Sequence, residues 1–439
     1  AVCVLPGVSD SPYVAALVRH AGWVGSLCAA LVATYSSWHV LLPFWWVAAG
    51  GVASDLLGAQ PGGVADAFGC GNFGVLVLRA TARSNVFRML RAMLKITSVR
   101  GAQSAGLVTY ERTPAHGSAG MRCRVVNGKR TDLASLLLAK VNREIKGGTS
   151  GSGSFPAPAE ACRLFQGHTR FATSSICNLS GCHPHQWLPR SMQTAWRHTG
   201  GGAFVSEQRH VESYITHNGD LDFFQLHGFT YALGDIQSIL GRLLGRPMPS
   251  DVDSACIAGL LDLLRTRGLW LASVRYGYLF GALSVAAGNL GGARAEQLAT
   301  PDQISKVSSL FEYEWRKVVA EAAQPASDAA VHLLEAHGRG KGESDELRAH
   351  CELMRRRMVE RLESPDVRMA IAGNLPLPGV TGRQQALSLL VEHACNAFFF
   401  GDLLRAALEL MDGAKGSFGL VLSHSLDAET DFVFAARGQ

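Results

Sequence analysis

Amide hydrolysis needs a nucleophile, a base for its proton, a donor pair for the oxyanion and a grip on the charged end of the substrate. This chain offers a candidate for each. Cys70 opens the run Cys70-Gly71-Asn72-Phe73-Gly74, just ahead of an apolar stretch that reads as a strand. About a hundred residues on comes Gly167-His168-Thr169-Arg170-Phe171-Ala172-Thr173, where the planar guanidinium of Arg170 suits a carboxylate held in a bidentate fork and Thr173 adds a hydroxyl. Thr216-His217-Asn218-Gly219 and Ser250-Asp251-Val252-Asp253-Ser254 complete the set. Blander readings stand beside these. A lone cysteine is more often a buried apolar residue, Asn-Gly is an ordinary turn signal, and Asp253 is placed to cap a helix over 255–264. Cys177, Cys182, His183 and His185 also have the donor types of a zinc site, although no second ligand pair lies nearby.

The elements that must position these groups are read from periodicity and punctuation. Phe73 to Arg79, Ala105 to Tyr110, Gly416 to Ser423 and Phe432 to Ala436 read as strands. Val86 to Ile96 has helical spacing, as do Ile257 to Leu290 and Ile304 to Leu362, the last with a polar break near Gly338 to Ser344. Strands recur at both ends of the chain beyond residue 70 with helices between them, preceded by a Gly/Ala/Pro-rich linker over 57–69.

Apolar residues make up 47% of the 439 and charged residues only 18%, which excludes a mainly disordered chain and favours a broad protein interface or a membrane contact. The net charge of +5 comes from scattered basic residues and leaves no nucleic-acid footprint. Ten unevenly spaced cysteines fit reduced thiols. Ala1 reads as the start of a processed chain or of part of a longer one.

Residues 1–56 read as a membrane anchor. No Asp, Glu, Lys or Arg occurs between Arg19 and Asp55, and Gly22 to Leu42 is long enough for a single spanning helix. Trp23 and the pair Trp45 and Trp46 would lie roughly 33 Å apart at helical rise, one at each interface. A buried hairpin is the alternative. The expected location is thus a membrane of an organelle, mitochondrial or plastid, or of the endomembrane system, with membrane lipid as a contact.

The motifs resemble, in order and in kind, those of class II glutamine amidotransferases, closest to the glucosamine-fructose-6-phosphate aminotransferase and amidophosphoribosyltransferase branch. The resemblance covers residues 70–439 as one α+β domain and implies the N-terminal-nucleophile fold, a four-layer αββα sandwich, here with the transmembrane helix in front and insertions at about 188–212 and 291–375. It implies that Cys70 attacks the side-chain amide of glutamine, that the Asn218 amide and the Gly219 N–H receive the oxyanion, and that no cofactor is needed. Arg170 and Asp253 would read the α-carboxylate and α-ammonium of glutamine. Thr173 and His183 would line the substrate. Arg100, in Arg100-Gly101-Ala102-Gln103-Ser104-Ala105-Gly106, would fix the geometry near the nucleophile.

In that family the free α-amine of the cysteine serves as base, so activity here requires cleavage of the Gly69-Cys70 bond. Ser174, Phe223 and Ala255 depart from the hexosamine branch. Two readings follow: a membrane-anchored glutaminase or amidotransferase, or a catalytically silent accessory subunit of a membrane complex with protein partners.

Overall fold

The computed structural model describes residues 2–4, 29–31, 70–77, 85–99, 101–113, 115–127, 132–147, 162–171, 178–199, 203–286, 297–323, 343–378 and 382–438. The strands are β1 (Val2–Val4), β2 (Ala29–Leu31), β3 (Gly71–Leu76), β4 (Ser104–Thr113), β5 (Gly117–Val126), β6 (Cys162–Arg170), β7 (Ser191–His198), β8 (Phe204–Val211), β9 (Ser213–Leu226), β10 (Phe229–Ala232), β11 (Ala414–His424) and β12 (Val433–Arg437). The helices are α1 (Val86–Ser98), α2 (Leu133–Gly147), α3 (Leu233–Leu244), α4 (Asp253–Leu264), α5 (Trp270–Tyr276), α6 (Pro301–Ala323), α7 (Glu343–Leu362), α8 (Pro365–Asn374), α9 (Arg383–Phe400) and α10 (Leu403–Gly413).

Two five-stranded sheets form the centre, ordered β2-β3-β6-β4-β5 and β1-β12-β11-β9-β10, and β7 with β8 makes a separate hairpin. Alternation along each strand decides what each face meets. On β3, Phe73 and Val75 join a cluster with Leu90, Leu94 and Leu137 of α1 and α2, while Leu76 turns the other way. Leu76, Val108, Tyr110 and Leu164 of one sheet pack there against Tyr214, Val421 and Phe434 of the other. Helix α1 buries Val86, Leu90, Met93, Leu94 and Thr97, one helical stripe. The outer face of the second sheet carries Phe418, Leu420, Leu422, Val433 and Ala435 into the largest cluster, shared with α3 to α10. Burying each such large side chain contributes about 1.5–3 kcal/mol.

Helix α4 is the keystone of this outer layer. Ten of its residues, from Ser254 to Leu264, are buried, so it is covered on nearly every side rather than along one stripe. Gly259 is required there, because an added Cβ would sit 2.7 Å from the Trp187 ring. The described part of 188–212 carries the antiparallel pair β7 and β8, and that of 291–375 carries α6, α7 and α8.

The expected fold class must be corrected at its N-terminal part. Ala29–Leu31, in the middle of the stretch assigned to a transmembrane helix, is a strand that pairs in parallel with Phe73 to Val75 of β3. Among the described residues no helix is long and apolar enough to cross a membrane, so a single-pass anchor lacks support. The physical reason is composition: a run of Ala, Gly, Ser and Val without charge serves a sheet edge as well as a bilayer. Val2–Val4 likewise adds to the other sheet, antiparallel to Val433 to Ala435. The rest of 22–42 and the linker 57–69 lie outside the described residues.

Candidate functional site

The first two motifs become neighbours because β6 lies between β3 and β4. Gly71 pairs with Thr169 and Asn72 with His168 on one side, and Ser104 pairs with Arg170 and Gly106 with His168 on the other. Cys70, half-buried at the head of β3, donates its thiol hydrogen to the Phe171 carbonyl at 3.6 Å. Gly71 is needed behind it, since a Cβ would come 2.6 Å from that of Thr97. Asn72 is buried and crosses between the sheets, its Nδ2 donating to the Gly419 carbonyl at 2.9 Å. Gly419 pairs with Asn218 across β11 and β9. One side chain thus sets the strand of Asn218 against the strand of Cys70. Sequence reasoning assigned Asn72 no role, although an amide in an otherwise apolar strand was the available signal.

Asn218 and Gly219 lie inside β9 rather than in a hairpin turn, which removes the turn reading. Gly219 has φ of 101°, a region open to glycine but strained for other residues, and it is exposed. The backbone N–H at this kink is therefore placed by glycine itself.

Arg170 is buried and packs on the backbone of Gly181, where a Cβ would lie 2.5 Å from its Nη1. Near it stand three buried histidines, 168, 183 and 185, and the buried His217 adjoins His183. The His168 and His183 ring centroids are 4.0 Å apart, and those of His183 and His185 are 4.4 Å apart. Burial, followed by the neighbouring imidazoles and Arg170, pushes His168 and His183 well below the ordinary imidazole range. Burial and then Arg124, Arg122 and Arg170 bring His185 down to about 3. These three rings are neutral at physiological pH and weak as bases.

His183 accepts a hydrogen bond at Nδ1 from the His217 backbone N–H at 3.2 Å, so its neutral form carries the proton on Nε2, 3.4 Å from the Ser254 hydroxyl. Ser254 Oγ lies 2.9 Å from His217 Nδ1, and Asp253 Oδ1 lies 3.7 Å from that same nitrogen. A charge-relay triad uses opposite nitrogens of the imidazole for serine and carboxylate. This trio shares one nitrogen and is structural. Asp253 is the first residue of α4, with Val252 at the cap position and no side-chain capping bond from it. The Asp253 carboxylate accepts from Leu221 N at 3.0 Å and Ser254 N at 2.7 Å. Burial alone would raise its pKa, but the His217 contact and the two backbone amides outweigh that and hold it below the usual carboxylate value.

Cys70 and Arg170 therefore meet through adjacent strands, and His183 and Asp253 are joined through Ser254 and His217. Arg100 and Thr173 lie outside the described residues, as does Cys177 of the alternative zinc set. Cys182 Sγ donates to the Asn178 carbonyl at 3.1 Å, and among the described residues no group of three or more His, Cys, Asp or Glu is arranged to hold a metal ion. Sequence reasoning also missed Glu212, a buried carboxylate that accepts from Gly120 N at 2.5 Å and Tyr214 Oη at 2.8 Å and ties β9 to β5. No family model matches the chain, and no curated protein or solved structure matches it either.

Proposed function

We propose that Cys70 is the nucleophile of a latent amide hydrolase acting on the side-chain amide of free glutamine. The observation that carries this reading is the juxtaposition at the strand ends: the Cys70 thiol against the Phe171 carbonyl, one residue from Arg170, with Asn72 bonded to the partner of Asn218. In the reaction the Cys70 sulfur attacks the amide carbon while its proton passes to the α-amine of the same residue. The Asn218 amide and the Gly219 N–H receive the oxyanion. Collapse expels ammonia, which takes that proton, and water then cleaves the thioester to glutamate. The neutral, buried histidines are poor substitutes for the amine. An uncleaved Gly69-Cys70 bond leaves an amide nitrogen in its place, and the site is then silent.

The deciding experiment compares ammonia release from glutamine by the intact chain, by a chain beginning at Cys70 and by its Cys70→Ala variant, each checked by intact mass. Activity is expected only in the second. Activity of the intact chain that Cys70→Ala abolishes would overturn the role of the amine.

A second reading, a catalytically silent accessory protein of a larger assembly, is favoured by one observation. Asp253, expected to read the substrate ammonium, is already bound by Leu221 N and Ser254 N. A folded chain beginning at Cys70 that releases no ammonia would decide for it.

A further inference from the structure

A second polar site lies at the opposite end of α4, away from Cys70. A cavity opens between the hairpin β7–β8, the start of β9, helices α4 and α5 and the end of β11, lined among others by Ser213, Asp262, Arg265, Arg275 and His424. It offers about 20 Å³ to the centre of a water-sized sphere, where a single water needs about 10–15 Å³. One or two particles of that size fit.

Two of the opposite-charge pairs around this space are closed by direct contacts. Arg265 is bound in a fork by Asp427, Nε to Oδ2 at 2.7 Å and Nη2 to Oδ1 at 3.0 Å. Glu212 is met by Arg190 at 3.4 Å as well as by Gly120 N and Tyr214. Burial and then Arg265 bring His424 down to about 3, so it is neutral, and its Nδ1 accepts from Leu426 N. That leaves Arg275 and Asp262. Arg275 is only 8% exposed, and its Nε has no hydrogen-bond partner among the described residues. A buried guanidinium N–H without an acceptor has lost its water and gained nothing in exchange. Asp262 attracts it through space, but its Oδ2 is occupied by Leu188 N at 2.9 Å.

We infer that this cavity binds one small monovalent anion of the chloride type, held by the Arg275 guanidinium. The anion supplies the acceptor that Arg275 lacks, and its charge balances the site when Asp262 carries a proton. When Asp262 is ionised it competes with the anion for the same cation. Burial, opposed by Ser213, the Leu188 amide and Arg275, pushes Asp262 up to about 7. Anion binding therefore strengthens as pH falls through neutrality, and by linkage the bound anion raises the proton affinity of Asp262.

The test uses the full chain, with sodium gluconate replaced stepwise by sodium chloride at constant ionic strength and the Tm recorded at about pH 6 and about pH 8.5. Gluconate is too large for the cavity, so a saturable rise in Tm reports chloride binding. The expected result is a rise at the lower pH and an apparent affinity several-fold weaker at the higher. Asp262→Asn should retain the rise with no pH dependence, and Arg275→Gln should lose it. Should Arg275→Gln fail to fold, a bromide-soaked crystal of the unaltered chain gives the same reading through an anomalous peak beside Arg275. Identical Tm in chloride and gluconate, or only water beside Arg275 in the bromide crystal, would overturn the inference.

Discussion

Helix α4 carries one aspartate at its first turn and another near its last, and the two have opposite fates. Asp253 is held ionised, below the ordinary carboxylate value, while Asp262 is pushed up to about 7. Burial opposes the charge on both. The difference lies in the donors: Asp253 takes two backbone amides and the His217 contact, whereas Asp262, half-buried, takes one backbone amide, Leu188, and the pull of Ser213 and Arg275 does not offset its desolvation. The helix dipole adds to the contrast, since its positive end favours the anion at Asp253 and its negative end disfavours one at Asp262. Donor supply and helix end, rather than depth alone, decide which half-buried carboxylate stays charged.

The strongest way to break this comparison is to upset the charge balance at the Asp262 end. Asp427→Ala leaves Arg265, 4% exposed, without the carboxylate that now grips it at two points. Breaking a buried pair by removing one partner costs about 3–5 kcal/mol, and urea denaturation should show a loss of that size at neutral pH. A loss under about 1 kcal/mol would mean that this end of the molecule tolerates unpaired cations, and the contrast with Asp253 would lose its cause.

Asp262→Asn tests the second carboxylate directly, and here the sign matters. A folded-state value near 7 means that the native protein keeps a proton on Asp262 between about pH 4 and 7 while the unfolded chain has lost it. Stability from this group is therefore greatest in acid and declines as pH rises through that window. Asparagine removes the decline. Relative to the unaltered chain, the variant should be more stable above pH 7, by up to about 4 kcal/mol for a shift of about three units, and nearly equal near pH 4. A variant less stable at pH 8 than the parent would show that Asp262 is ionised and paired there.

How much of this was legible follows from what each residue signals locally. The strands around Cys70 and near the C-terminus were readable because Phe73 to Leu76 and Leu420 to Leu422 are apolar runs between turn residues. Arg170, His183, Asn218 and Asp253 stood out because their motifs come in a recognisable order. The N-terminal run misled, because absence of charge is common to a bilayer span and a strand, and only pairing with β3 distinguishes them. Asp262 and Arg275 were invisible for a different reason. Each reads as a routine polar position on its own helix, and their confrontation arises only where α4 packs on α5, thirteen residues apart in the chain. Asn72 was hidden similarly, its partner Gly419 being 347 residues away.

The smallest expected effect belongs to Asp253→Asn, and it sharpens the comparison because its sign is opposite. A carboxylate held below its usual pKa contributes stability that is present above the unfolded value of about 4 and is lost as pH falls through the folded one. Asparagine keeps one oxygen for an amide donor but surrenders the charge, at a helix start where an anion is worth about 0.3–1 kcal/mol. It also weakens the hold on Leu221 N and hence the position of β9 beside Asn218 and Gly219. A loss of about 1 kcal/mol at pH 7 is expected, shrinking towards zero as the pH falls through the lowered pKa of Asp253. Urea denaturation at several pH values measures it. A deficit that stays constant down to the acid limit would trace the effect to side-chain shape rather than charge, and Asp253 would then no longer serve as the ionised counterpart of Asp262.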